Sequence, residues 1–169
     1  MDIFKVIKCD GKDCGNDVFV WKFPGEDFNT LSQLIVHESQ EAIFFKDGQA
    51  LDTFGPGRYT LETQNIPKIG RFLKRATGDE TPFHCEVYFI NKTEQMAIKW
   101  GTDSKVEFME PTYQFPIKIG ACGEINLRAE DSRKLLLKVV GTENYLTQSK
   151  LTQLFRAFLM TKIKTYLAR

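Results

Sequence analysis

Gln33-Leu34-Ile35-Val36-His37, then Ala42-Ile43-Phe44-Phe45-Lys46 running straight into Asp47-Gly48, is the stretch whose reading decides the fold class. Both apolar runs are rich in β-branched and aromatic residues, which suit a pleated, half-buried surface. Asp-Gly accepts positive φ at both centres of a tight turn, so the second run is expected to fold back as a hairpin through 50–54. Gly55-Pro56-Gly57 fits another turn, Pro fixing φ at the first central position and Gly taking the left-handed second. A further strand is expected over 58–63. Towards the N-terminus, 17–23 reads as a strand stopped by Pro24-Gly25-Glu26-Asp27, and 3–7 as a shorter one. The turn-rich Asp10-Gly11-Lys12-Asp13-Cys14-Gly15-Asn16 between them fits a hairpin or a loose arm.

Towards the C-terminus the period changes. Over 65–75, Pro67 suits a first helical turn, and Ile69, Phe72 and Leu73 share one face, so a short helix is expected. After Gly78-Asp79, Phe83, Cys85, Val87 and Phe89 alternate with His84, Glu86 and Tyr88, the pattern of a half-buried strand. Short strands follow at 96–100 and 105–109. A longer one is expected after Pro111, with Phe115, Ile117, Ile119, Ala121, Ile125 and Leu127 on one face, Lys118, Glu124 and Arg128 on the other, and a bend at Gly120 or Gly123. Residues 134–140 read as the last strand, stopped by Gly141.

From Thr147 the spacing is helical, with Leu151, Leu154, Phe155, Phe158, Leu159, Ile163 and Tyr166 or Leu167 forming an apolar stripe. No Gly or Pro terminates it, so this helix is expected to continue in a longer native chain. The expected class is therefore α+β, a mostly antiparallel β body with a short helix and a C-terminal amphipathic helix. Its expected divisions are an arm or hairpin over 1–16, a β-rich core over 17–143 and the helix over 144–169.

At 169 residues, 42% apolar and 27% charged, the chain has the size and balance of one ordinary globular domain. No apolar run exceeds four residues, whereas a membrane-spanning helix needs roughly 18. The start, Met1-Asp2-Ile3-Phe4-Lys5, has no apolar segment or small-residue cleavage site of a secretory signal, so a cytoplasmic protein is expected. Cys9, Cys14, Cys85 and Cys122 lack the spacing of a zinc site, and no cofactor is expected. Free thiols are the expectation; Cys9 and Cys14 could bridge if oxidised, which a cytosol opposes.

Candidate chemistry is sparse. His84 and Cys85 resemble a base beside a nucleophile, but adjacent strand residues point to opposite faces and cannot form a dyad. His37 has no sequence-local partner. The acidic pairs Glu26-Asp27, Asp79-Glu80 and Glu130-Asp131 fall in expected turns, and Gly55-Pro56-Gly57-Arg58 lacks the spacing of a phosphate loop. No catalytic or metal site is expected.

Charge patterning is more informative. Lys68, Arg71, Lys74 and Arg75 in the first helix, and Lys150, Arg156, Lys162, Lys164 and Arg169 in the second, have no acid among them. These nine cations stand against a formal net charge of +1, which leaves −8 for the rest of the chain. Basic helices carrying aromatics suit an anionic membrane surface or an acidic partner; the plain alternative is an apolar stripe facing its own core, with cations favoured by the helix dipole. A pI of about 7.6 without aromatic-studded binding strands argues against nucleic acid.

The run from Ser32 to Gly48, followed by Phe54-Gly55-Pro56-Gly57-Arg58-Tyr59-Thr60-Leu61, resembles the start of an SPFH (Band 7) domain of the stomatin and prohibitin superfamily. Val18-Phe19-Val20-Trp21-Lys22-Phe23-Pro24, Asn65-Ile66-Pro67 and the strand from Thr81 to Lys92 are similar to its bacterial virion-core-protein-like branch. The resemblance covers about 17–169. It implies a curved antiparallel sheet with helices packed on it, leading into a helical region that drives oligomerisation. It also implies a non-enzymatic scaffold, gathering with membrane-protein partners at the inner face of a membrane. The stomatin membrane hairpin has no counterpart in the sequence, and neither does the branch's zinc ribbon. The alternatives are a regulatory subunit of a membrane protease or an enzyme, and a lipid or small-molecule binding module built on the 14 Phe.

Overall fold

The computed structural model describes residues 6–28, 32–61, 83–139 and 145–167. Strands β1 to β7 are Val6–Ile7, Val18–Lys22, Asp27–Phe28, Gln33–Val36, Gln40–Lys46, Gln49–Phe54 and Gly57–Thr60. Strands β8 to β14 are Phe83–His84, Glu86–Asn91, Gln95–Gly101, Val106–Met109, Pro116–Ile119, Cys122–Leu127 and Tyr145–Thr147; helix α1 is Ser132–Val139 and α2 is Gln148–Leu167. The class is α+β and mostly antiparallel, as the sequence implies. The helix expected over 65–75 lies outside the described residues.

The chain forms two compact units, residues 1–93 with 128–147 and residues 94–127 with 148–169. The first holds a five-stranded sheet in the order β14-β2-β9-β5-β6, antiparallel throughout. A second sheet, β1-β4-β7, adds the parallel pair β1–β4, and β3 pairs with β8. The β5–β6 hairpin turns through Asp47 and Gly48 at φ of 51° and 76°, the doubly left-handed turn that an Asp-Gly pair favours. Gly55-Pro56-Gly57 does something different: it passes the chain from the five-stranded sheet to β7 of the three-stranded one. Gly57 has φ of 145°, and the Tyr59 hydroxyl donates back to the Gly55 carbonyl at 3.0 Å.

The core collects Leu34 and Val36 from β4, Ala42 and Phe44 from β5, Phe54 from β6 and Val87 and Phe89 from β9. The expectation of a half-buried strand around 83–89 is corrected at this point, because Tyr88 and Ile90 are buried along with Val87 and Phe89. β9 is the middle strand of five, and residues on its other side, Val20, Ile43 and Ile90, are sealed too. Helix α1 is fastened on that side, where the Ser132 hydroxyl donates to the Glu41 carboxylate.

Helix α1 is itself a correction, since 134–140 reads as a strand by apolar content alone. Asp131 decides the matter: its side chain accepts the Lys134 amide at 3.0 Å and its carbonyl accepts that of Leu135, the hydrogen bonding of a helix N-cap. Leu136 then fills the buried side while Leu137 stays exposed. The free-thiol expectation is corrected likewise, for Cys9 and Cys14 are joined in a disulfide with Cα atoms 5.9 Å apart.

In the second unit the single long strand expected after Pro111 is two, β12 and β13, broken at Gly120-Ala121 because each pairs with a different partner, β11 and β10. Thr102 bridges the break: its amide donates to the Ala121 carbonyl at 2.8 Å, and its hydroxyl accepts the Ala121 amide at 3.1 Å. The result is a two-stranded ribbon whose tip, at Glu110 to Phe115, exposes Met109, Tyr113 and Phe115. Ile117, Ile119, Ile125 and Leu127 alternate with exposed residues as expected, but they are only half-buried.

Candidate interaction surface

Helix α2 begins at Gln148, directly after a three-residue edge strand, β14, that pairs with β2; the helix expected from 144 is shorter by that strand. Thr147 and its neighbours extend because β2 offers an open edge, a signal that periodicity does not carry. From Gln148 to Leu167 the sequence has neither Gly nor Pro and alternates strong helix formers with apolar residues.

The C-terminal half of α2 packs along one side. Met160 is 6% exposed, Leu159, Ile163 and Lys164 are half-buried, and the Lys164 ammonium lies 2.7 Å from the Ser104 hydroxyl and 3.3 Å from the Asp103 carboxylate. That ammonium, with the Ser104 amide, holds the Asp103 carboxyl below the usual aspartate range. Lys164, expected on a partner-binding surface, is thus engaged with its own unit.

The other side carries Phe158, 59% exposed, and Tyr166, 79% exposed, with Lys162 between them. These three fall at i, i+4 and i+8, one row along the helix. The Lys162 ammonium sits 5.8 Å from the centroid of the Phe158 ring, within reach of a cation–π contact. Arg156 and Lys150 are exposed as well. Leu151, Leu154 and Phe155 belong to α2, but their side chains lie outside the described residues, as do Lys68, Arg71, Lys74 and Arg75 altogether. Of the apolar stripe, then, Leu159 and Ile163 turn inward and Phe158 outward. Met160, absent from the stripe read in the sequence, is the most buried of the described side chains of α2.

The two histidines occupy ion-pair clusters at the surface. His84 Nδ1 lies 3.0 Å from Asp27 and its Nε2 3.3 Å from Glu26. Lys22 bridges Glu26 and Glu86, each at 2.7 Å; burial works to lower its pKa, but the two carboxylates together hold it above the ordinary lysine range. Cys85 faces the opposite way, into the core, where burial pushes its thiol far up and keeps it protonated. His37 Nε2 meets Asp10 at 2.7 Å. A cavity of about 10 Å³, room for one water, is lined by Cys9, Cys14, Trp21 and Gln40 and by neither histidine. No described helix is long and apolar enough to cross a membrane.

The chain is similar to Uncharacterized protein YdjI of Bacillus subtilis (strain 168), with 25% identity over 130 residues. That alignment covers 76% of this chain and 40% of the relative, so the chain spans about two-fifths of the curated protein it matches. No solved structure gives a significant match. The family described as SPFH domain-Band 7 matches residues 20–169, a span that takes in the five-stranded sheet, the ribbon and the basic helix, and the chain belongs to that family.

Proposed function

We propose that this chain is a non-enzymatic oligomeric scaffold domain of the virion-core-protein-like branch, working at the inner face of a membrane, with the outward row of α2 as its contact with the anionic surface. Members of the family generally have membrane-associated scaffold or binding roles rather than catalytic ones. The observation that carries the reading is the row Phe158, Lys162 and Tyr166 on a helix with no acidic residue. Aromatic side chains sit well at the headgroup level, and each Lys or Arg near an anionic leaflet contributes about 1 kcal/mol. Arg156 and Lys162 alone therefore give weak binding, and self-association multiplies it by avidity. Lys68, Arg71, Lys74 and Arg75 would add a second basic patch.

Flotation with vesicles containing about one-third phosphatidylserine tests this. Binding should be weak at low ionic strength, fall steeply as salt is added and drop several-fold in Lys162→Glu. Equal binding to neutral vesicles, or none at low salt, would retire the membrane reading. Mass in solution at rising concentration tests self-association separately.

A further inference from the structure

The disulfide lies ahead of the family match, which begins at residue 20, and nothing in the scaffold role uses it. Its two halves are unequally placed. Cys9 is 1% exposed and part of the core cluster, whereas Cys14 is half-buried at the end of the short 3-10 turn Gly11–Cys14 and packs against that cluster. The bridge lines the cavity described above together with Gln40, which is 7% exposed.

We propose that Cys9–Cys14 is a reversible thiol–disulfide site, opened from the Cys14 side by a dithiol and resealed by the corresponding disulfide. A thiolate of the dithiol attacks Cys14 Sγ, the Cys9–Cys14 bond breaks, and the electron pair leaves on Cys9 Sγ, which takes a proton from water. The dithiol's second thiol gives up its proton and attacks its partner sulfur in the mixed disulfide. Cys14 leaves as a thiolate and is protonated. The protein has then gained two electrons and two protons, and the dithiol has become a cyclic disulfide.

The opening is local because the Cys9 side has other anchors. Ile7 is fully buried, β1 stays paired to β4, and Asp10 is held by Lys8 and by His37. Beyond the turn, the Val18 amide donates to the Gly15 carbonyl at 3.0 Å. Only the Gly11–Cys14 turn is released, lifting Cys14 off the cavity.

The test equilibrates the whole chain with oxidised and reduced dithiothreitol in graded ratio, quenches with acid, and alkylates after denaturation. The expected result is a rise from two labels, on Cys85 and Cys122, to four in one step. Amide exchange should quicken at least about tenfold over 10–16 while the unfolding transition stays cooperative. Cys14→Ser should reproduce the reduced exchange pattern. Four labels at every ratio would mean that the pair never bridges, and two labels until the chain is unfolded would mean a purely structural bond; either overturns the proposal.

Discussion

Phe44 and Phe158 both belong to faces that hydrophobic spacing marks for burial, yet Phe44 is sealed and Phe158 is 59% exposed. The difference belongs to their units. In the first unit Phe44 sits on a strand with neighbours on both edges, under a second sheet, and its ring packs against Phe28 and Phe54. In the second, the described residues offer a two-stranded ribbon and one helix to close on, and two strands alone are marginal in water. Its described strand side chains are half-buried at best, and it is held by point contacts such as Lys164 to Asp103. Stability is concentrated in the first unit and available apolar surface in the second.

The largest expected effect separates the two aromatics. Phe44→Ala should lower stability by about 3–5 kcal/mol in chemical denaturation, whereas Phe158→Ala should stay within about 0.5 kcal/mol and weaken vesicle binding instead. Equal costs would erase the contrast.

Acid should come next, because each unit has a depressed carboxylate: Asp131, through the Lys134 amide, and Asp103, through Lys164. A folded pKa below the unfolded one gives stability that is present above the ordinary value of 3.8 and lost as pH falls through the folded value. Helical circular dichroism should therefore be flat above about pH 5 and decline below about pH 4. A signal unchanged to about pH 2 would count against both roles.

Gly123→Ala should have a small effect confined to the second unit. Its new Cβ would lie 3.1 Å from the Trp100 ring, so the ring must give way slightly. A loss below about 1 kcal/mol and a shift in tryptophan emission are expected, with the first unit's exchange protection unchanged. A loss as large as that of Phe44→Ala would show the ribbon to be part of the main core.

How legible this was in the sequence depended on where each decision is made. The Asp47-Gly48 hairpin was readable because a two-residue turn is settled by its own torsions. Helix α1 was readable in principle from Asp131, but Leu135, Leu136 and Leu137 fit a buried strand as well as a helix, and content outweighed the cap. Gly120 marked a bend in the expected strand, but the apolar alternation runs almost undisturbed across Gly120-Ala121 and does not show that β12 and β13 have different partners. The surface row was half visible: the sequence supplied the cations and the stripe, and packing alone turned Met160 inward and Phe158 outward.

By itself the sequence determined the class, the Asp47-Gly48 turn, the acid-free basic helix and the family, all of which rest on residue type and near-neighbour spacing. Tertiary structure alone decided that β9 is covered on both faces, that β14 ends at a sheet edge, that Cys9 meets Cys14 and which side of α2 stays open. Those outcomes depend on which distant segment arrives to remove a surface from water, and a residue's own chemistry does not specify its distant neighbour.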